Sequence, residues 1–123
     1  MSFADSSTRF VKAGFGGVEV YFYTAVNGGD PVAYDGTNGF VQADANNSLP
    51  ARFIASNDFE ADSYGVVFAS AVVSGFTGGT PGGLLYLSDS VGDYSDSAGS
   101  SSQVVGTLYS ATEAFIQPQV PTS

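Results

Sequence analysis

Apolar and polar residues alternate in short runs along most of this chain, and clusters of Gly, Asn, Asp and Pro separate the runs. The runs are rich in Val, Tyr and Phe, and this combination is typical of β-strands. The Ala residues of the fifth run also permit a helix, and a short helical turn is allowed near Asp58–Ser63. The pattern predicts strands at Val18–Thr24, Pro31–Tyr34, Gly39–Ala43, Arg52–Ala55, Tyr64–Ser74, Leu84–Ser88, Tyr94–Ser95, Gln103–Tyr109 and Ala114–Ile116.

Turn residues indicate how these strands connect. Asp35-Gly36-Thr37-Asn38 lies between two of them and predicts a hairpin with a short loop. The stretch Gly75–Gly83 contains five glycines and predicts a longer loop. Strands that recur about every ten residues indicate a barrel or a sandwich. The predicted fold is therefore all-β, a small Gly-rich antiparallel β-barrel or β-sandwich of the β-tulip type.

The two ends of the chain differ from its middle. Residues 1–16 mix Ser, Thr, Asp and Gly with isolated Phe residues, and we expect an extended N-terminal arm there. A frayed terminus is the alternative. Residues 17–118 form the predicted single β domain, which is close to the commonest domain size. Residues 119–123 predict a flexible tail.

The chain also contains an internal similarity. Gly29–Ala45 and Gly82–Ala98 align without gaps, and each contains a strand, a tight loop ending in Gly and a second strand. Duplication of a half-barrel explains this match. The repeated use of a few residue types in hairpin turns explains it as well. The sequence leaves both explanations open.

Charge and composition exclude several classes of function. The 123 residues carry a formal net charge of −9, with 3 Lys and Arg against 12 Asp and Glu. Because three positive charges cannot neutralise a row of phosphates, we expect no nucleic-acid partner. An anionic membrane would repel the chain, so we expect no membrane partner either. No run is long enough to span a bilayer, and the first residues do not match a signal peptide. The chain has no Cys and no His, the commonest general base and metal ligand.

Carboxylates are the remaining candidates for chemistry. Six of the twelve acidic residues form two groups, Asp58, Glu60 and Asp62 in one segment and Asp89, Asp93 and Asp96 in another. Two carboxylates suffice for glycoside hydrolysis, and several can bind Ca²⁺. Both groups lie in predicted loops among Ser and Gly, where a solvated carboxylate is the ordinary state, and neither matches the spacing of an EF-hand. We therefore predict no enzyme, no catalytic residue, no metal site and no cofactor.

Aromatic residues are the strongest remaining signal, with 10 Phe and 7 Tyr. In the strand Val18–Thr24, side chains alternate between the two faces, so Phe22 points to one side while Tyr21 and Tyr23 point to the other. If one face packs the core, the opposite face exposes aromatic rings. Such rings are typical of a protein interface or a sugar-binding platform. Burial of both faces in a sandwich or barrel is the alternative.

The C-terminal third resembles a known family. The stretches Gly79–Ser88 (GTPGGLLYLS), Gln103–Thr112 (QVVGTLYSAT) and Ile116–Pro118 (IQP), with a glycine turn at position 92, are similar to a bacteriophage β-module. This module occurs in the capsid decoration proteins of tailed phages, also called cement or auxiliary proteins, and in phage head fibres. The resemblance covers about residues 29–118 and is strongest over 79–118.

This resemblance implies a structural virion protein on the outer capsid surface. Such a protein binds the major capsid protein, commonly as a homotrimer, and stabilises the shell. The resemblance brings no catalytic residues, and the family's contact residues do not map by motif. The alternative function is a carbohydrate-binding β-module of a phage fibre or tailspike, in which Tyr21, Tyr23, Tyr64 or Tyr94 stacks on a sugar.

The candidate interface residues come from the arm and the first predicted strand. We expect intermolecular contacts there because the arm combines apolar anchors with two of the three positive charges of the chain, and the strand exposes tyrosines. The predicted interface residues are Phe3, Arg9, Phe10, Lys12, Phe15, Tyr21 and Tyr23.

Overall fold

Nine β-strands and no helix are found in the structure, a computed structural model that describes residues 3, 5, 9–46, 49–100 and 102–118. The all-β prediction is confirmed, and eight of the nine strands lie within one residue of their predicted bounds. The strands are β1 Phe10–Phe22, β2 Pro31–Tyr34, β3 Phe40–Gln42, β4 Phe53–Ala55, β5 Ser63–Ser74, β6 Leu84–Leu87, β7 Tyr94–Ser95, β8 Val104–Leu108 and β9 Glu113–Ile116.

The exception is β1, which begins at Phe10 rather than at Val18. The predicted start was wrong because the glycines of this segment suggested that no strand could continue through it. They lie inside the strand instead, and the ring of Phe68 on β5 packs over Gly14, where a Cβ atom would collide with it. A glycine inside a strand often marks such a close approach. Residues 10–16 of the predicted arm thus belong to β1, and the predicted tail, residues 119–123, lies outside the described residues.

The helical turn allowed near Asp58–Ser63 is also wrong. Phe59 forms an isolated bridge with Val26, and each donates its amide hydrogen to the other's carbonyl oxygen at 3.0 Å. The chain then turns at Asp62, which has a φ of 60°, and enters β5. Phe59 is thus paired with Val26, and the amide of Asp62 donates to Phe22 O at 2.8 Å, so these backbone groups are satisfied without a helical turn.

All nine strands belong to one mixed sheet in the order β1-β3-β2-β4-β5-β9-β8-β6-β7. An additional pairing between β1 and β5 closes the first five strands into a ring. The only parallel contact between the described strands joins β1 to β3, at Phe22 and Phe40. The remaining strands, β9, β8, β6 and β7, extend outward from β5 as an open antiparallel sheet.

The internal similarity extends beyond the two aligned hairpins. β1 begins at residue 10 and β5 at residue 63, while β2 begins at 31 and β6 at 84, so both pairs are 53 residues apart. Hydrogen bonds repeat at the same distance: Gly29 N donates to Ala55 O at 2.9 Å, and Gly82 N to Leu108 O at 2.7 Å. Both glycines have a φ near 86°, which other residues rarely adopt. The chain therefore consists of two structural repeats, residues 10–62 and 63–116.

The two repeats share one hydrophobic core. The larger cluster of buried side chains draws Ala33 and Ile54 from the first repeat, and Leu85, Leu108 and Ile116 from the second. A smaller cluster fills the inside of the five-stranded ring and is built around Phe22, whose ring stacks on Phe59 with centroids 5.1 Å apart. Since the main core needs both repeats, neither has a complete apolar interior of its own.

Candidate functional site

One face of the sheet points away from the core across five strands. Five antiparallel strands, β1, β5, β9, β8 and β6, lie side by side, and residues directly opposite each other share a face. One row across these strands points into the core and one row points outward. The inner row is Gly14, Ala71, Ile116, Gly106 and Leu85. The outer row is Ala13, Val72, Phe115, Thr107 and Leu84.

The outward side, called the outer face below, is unusually apolar for a surface. Phe10 and Phe15 flank the outer row and leave 54% and 53% of their surface exposed. The ring of Phe15 lies 6.5 Å from the ring of Phe115, and Leu84 and Tyr109 are also exposed. A monomeric domain rarely exposes large apolar side chains in a continuous group, and such groups usually mark binding sites.

The outer face is also close to electrically neutral. A register shift between Val11 and Ala13 brings Lys12 toward β9, where its Nζ atom donates to Glu113 Oε2 at 2.7 Å. The Tyr109 hydroxyl donates to the other carboxylate oxygen of Glu113 at 3.0 Å. The hydrogen bond from Lys12 is the main cause that lowers the pKa of Glu113. The acidic residue of this face therefore has a local counter-charge, although the chain as a whole is strongly acidic.

Three of the predicted interface residues meet on this face. Phe10, Lys12 and Phe15 all lie there, at the edge formed by β1. Sequence reasoning did not include Leu84 and Phe115. A signal for Phe115 was present, because in the run Ala114–Ile116 the middle residue points away from its two buried neighbours.

Phe3 and Arg9, by contrast, contact the chain's own interior. Phe3 packs on Phe76 with ring centroids 5.6 Å apart and joins the main core. Arg9 is buried and forms ion pairs with Asp5 and with the fully buried Asp30. Its guanidinium also donates to the carbonyl oxygen of Gly92 at 2.9 Å.

The surroundings of Arg9 join the two repeats. Its guanidinium carbon lies 5.0 Å from the centre of the Tyr94 ring, a cation–π distance. The Tyr94 hydroxyl donates to Gly29 O at 2.7 Å, so this tyrosine is buried and unable to stack on a sugar as its sequence position suggested. Burial raises the pKa of Asp30, although hydrogen bonds from Asn27 and Gln42 and the charge of Arg9 act in the opposite direction.

Tyr21 and Tyr64 form a second exposed aromatic group, at the far end of the β1–β5 pair. They are opposite each other in register, with ring centroids 5.4 Å apart and planes tilted by 59°. Tyr64 leaves 67% of its surface exposed. The Tyr21 hydroxyl donates to Asp62 Oδ1, and this hydrogen bond raises the pKa of Tyr21. Tyr23 is exposed beyond the end of β1.

Carboxylates in both acidic loops accept hydrogen bonds from other residues of the chain. Asp58 accepts the amide hydrogen of Gly28 at 2.8 Å, and Asp89 accepts both the amide and the hydroxyl of Ser100. Among the described residues, no three His, Cys, Asp or Glu side chains are grouped in a way that would hold a metal ion. The same part of the chain contains no helix long and apolar enough to cross a bilayer.

Neither a scan against protein-family models nor a search of curated proteins finds a match to this chain. The geometry of the surfaces is therefore the basis for any statement about function.

Proposed function

We propose that this chain is a structural virion protein that binds the outer surface of a capsid shell and stabilises it, as a cement or decoration protein does. The outer face carries this proposal. Large exposed side chains on a sheet five strands wide form a rigid, nearly neutral surface, which suits contact with another protein. The resemblance of residues 79–118 to phage decoration modules supports the same function.

The size of the outer face fits weak binding in many copies. Its exposed apolar side chains present roughly 400 Å², since a fully exposed aromatic side chain has ~200 Å². A stable one-to-one interface buries about 800 Å² on each partner. A lattice of identical sites compensates for weak single contacts, because linked contacts gain avidity. A homotrimer, which we also propose, would present three such faces at once.

The charge of the chain restricts the partner. A net charge of −9 opposes binding to nucleic acid or to an anionic membrane. The outer face avoids this repulsion since its carboxylate is paired with Lys12. The proposed landing site on the major capsid protein is therefore apolar, with neutral or basic surroundings.

The direct test replaces two aromatic side chains of the outer face by serine. Phe15→Ser combined with Phe115→Ser is expected to lower occupancy on purified undecorated shells at least tenfold, because buried aromatic anchors dominate protein interfaces. Tyr64→Ser, which removes a still more exposed aromatic side chain on β5 at the far end of the β1–β5 pair, is the control and should bind normally. Unchanged occupancy of the double variant, with a native circular dichroism spectrum, would refute the role of this face.

The oligomeric state has its own test. Sedimentation equilibrium over a wide concentration range is expected to show a trimer of the purified protein, or of the protein released from particles. Only monomer at high concentration, together with single-copy density on the shell, would exclude the trimer and leave the binding proposal intact.

The Tyr21–Tyr64 pair supports a second candidate function, the binding of a saccharide. Two adjacent tyrosine rings offer a stacking surface, and the neighbouring Asp62 carboxylate can accept hydrogen bonds from sugar hydroxyls. A glycan array should then give signals that Tyr64→Ala abolishes and the Phe15→Ser, Phe115→Ser variant keeps. An array without any signal would remove this candidate.

A further inference from the structure

We infer that the open side of the second repeat, together with Asp30 of the first repeat, forms a peptide-binding groove, and that the N-terminal segment of this chain occupies it as a separable ligand. The groove recognises a segment with Phe, Asp and Arg at its first, third and seventh positions, here Phe3, Asp5 and Arg9. This inference is independent of the proposed binding to a shell.

The groove exists because the second repeat is not closed as the first one is. In the first repeat, Tyr23 N donates to Phe40 O at 2.9 Å and β1 pairs with β3. The residues 53 positions later are Phe76 and Asp93, and they are not joined in this way. Phe76 N donates instead to Thr112 O at 3.1 Å, and β7 remains at the end of the sheet.

The walls of the groove are held without help from the N-terminal segment. Asp30 accepts the Asn27 amide at 2.8 Å and the Gln42 side-chain amide at 2.7 Å. Tyr94 is fixed by its hydroxyl on Gly29 and by an edge-on contact with the ring of Phe76 at 5.8 Å. These partners orient the carboxylate and the two rings in advance, and such preorganisation lowers the cost of binding.

The three anchor positions of the segment make different kinds of contact with the groove. Phe3 packs on the ring of Phe76, and Asp5 accepts the amide hydrogen of Tyr94 at 2.9 Å. Arg9 reaches Asp30, the Gly92 carbonyl and the Tyr94 ring. The groove residues are at least 21 positions away in sequence from the anchors they contact, so these contacts resemble those of a bound peptide rather than of a local turn.

The arginine position is the most selective part of this groove. A guanidinium is planar and delocalised, so it can donate to two carboxylates and a carbonyl while it stacks on an aromatic ring. A lysine ammonium is a compact charge without this fork. Replacement of arginine by lysine should therefore weaken binding strongly, although the net charge is unchanged.

The test uses the complete chain with a protease site inserted between Arg9 and Phe10 and cut after folding. We expect fragment 1–9 to remain with the folded body during gel filtration at micromolar concentration. Excess fluorescent peptide of residues 1–9 should then replace it, with a rise in anisotropy. The same peptide with Arg9→Lys should bind at least tenfold more weakly, and the uncut chain should bind neither peptide.

Each result decides the question. Loss of fragment 1–9 from a body that keeps its near-UV spectrum would overturn the inference, and so would equal binding of the lysine peptide. If cutting unfolds the body, addition of the wild-type peptide must restore the spectrum, and no recovery would again overturn it. Because no shell is present, failure here leaves the proposed function untouched, and success does not support it.

Discussion

Arg9 is a buried cation in a chain that has only three Lys and Arg residues. It lies between two carboxylates and an aromatic ring, and its Nε atom has no hydrogen-bond partner among the residues that the structure describes. Removal of one member of a buried ion pair leaves the other charge without compensation, which costs more than the pair itself contributes. Arg9 therefore holds the N-terminal segment to the body and neutralises Asp30 at the same time.

We expect Arg9→Ala to lower the free energy of unfolding by about 3–5 kcal/mol, the usual cost of breaking a buried ion pair. Urea denaturation measures this change. Arg52→Ala removes the same charge from an exposed position and should change stability by less than about 0.5 kcal/mol. Addition of Asp30→Asn to the Arg9→Ala variant should recover part of the loss, and equal losses for the Arg9 and Arg52 variants would contradict the account.

The Asp35 carboxylate holds the loop of the β2–β3 hairpin through backbone hydrogen bonds. Its Oδ1 atom accepts the amide hydrogens of Thr37, Asn38 and Gly39, and the bond from Thr37 is the largest cause that lowers its pKa. A carboxyl group with a lowered pKa in the folded state stabilises the fold above its ordinary value of 3.8. This contribution disappears as the pH falls through the lowered value.

Asp35→Asn should therefore reduce the fall in stability that the wild type shows below pH ~3.8. Thermal unfolding between neutral pH and pH ~2.5 measures the slope. Thr37→Ser, an exposed change in the same loop that leaves the Asp35 carboxyl and the amides it accepts in place, is the control and should keep the wild-type slope. Identical slopes for all three proteins would show that the hairpin loop does not respond to acid in this way.

The strands were largely predictable because their signals are local. β2 and β7 have the predicted bounds, and the hairpin between β2 and β3 follows from four turn residues. β1 was partly missed, since the glycine at position 14 is explained by the ring of Phe68, more than fifty positions away in sequence. The same limit applies to the outer face, where Phe10 and Phe15 could be named as exposed candidates but their neighbour Phe115 depends on the pairing of β5 with β9.

The contacts of Phe3 and Arg9 could not be predicted from the sequence for a second reason. Apolar and basic residues in a terminal segment suggest outward contacts, and nothing nearby in the chain indicates that Asp30 and Tyr94 would receive them. The open side of the second repeat arises from how its strands pair, which no local pattern encodes. Local patterns therefore predicted the strands. Contacts between residues distant in sequence determined which side chains remain exposed for a partner.

The β8–β9 pair depends on a glycine for its close approach. A Cβ atom at Gly106 would lie 2.6 Å from the carbonyl oxygen of Phe115 and 2.9 Å from Ile116 Cδ1. The carbonyl belongs to the neighbouring strand, so it cannot move without disturbing the pairing. Gly106→Ala should cost about 1–3 kcal/mol, as overpacking in a core does.

Differential scanning calorimetry can compare Gly106→Ala with Gly17→Ala. At Gly17 the nearest atom is a side-chain methyl of Val66 at 3.3 Å, which has room to shift. We expect the Gly17 variant to melt close to the wild type and the Gly106 variant several degrees lower. Equal melting temperatures would mean that the strands adjust more easily than their spacing suggests.

The two repeats behave as one folding unit if the shared core is the main source of stability. β5 belongs to the second repeat but completes the ring formed with β1–β4 of the first, and it also pairs with β9. The larger buried cluster contains residues of both repeats. Since neither repeat buries a complete core alone, partial unfolding of one would expose the apolar surface of the other. Unfolding should therefore follow a single transition with the same midpoint in near-UV and far-UV circular dichroism.

Ile116→Ala provides the sharpest test of this cooperativity. Ile116 is fully buried where β9 meets β5 and β8, so its truncation should cost about 2–5 kcal/mol. If the repeats are coupled, the variant moves the whole transition to lower urea with an unchanged m-value, because the same surface is still exposed at once. If they are independent, the second repeat melts first, and the signal of Tyr34, which packs on Phe40 within the first repeat, keeps its wild-type midpoint. The second result would mean that the two repeats are separately stable and that the shared core is only a contact between them. The first repeat would then be stabilised by the pairing of β1 with β3 rather than by burial around β5.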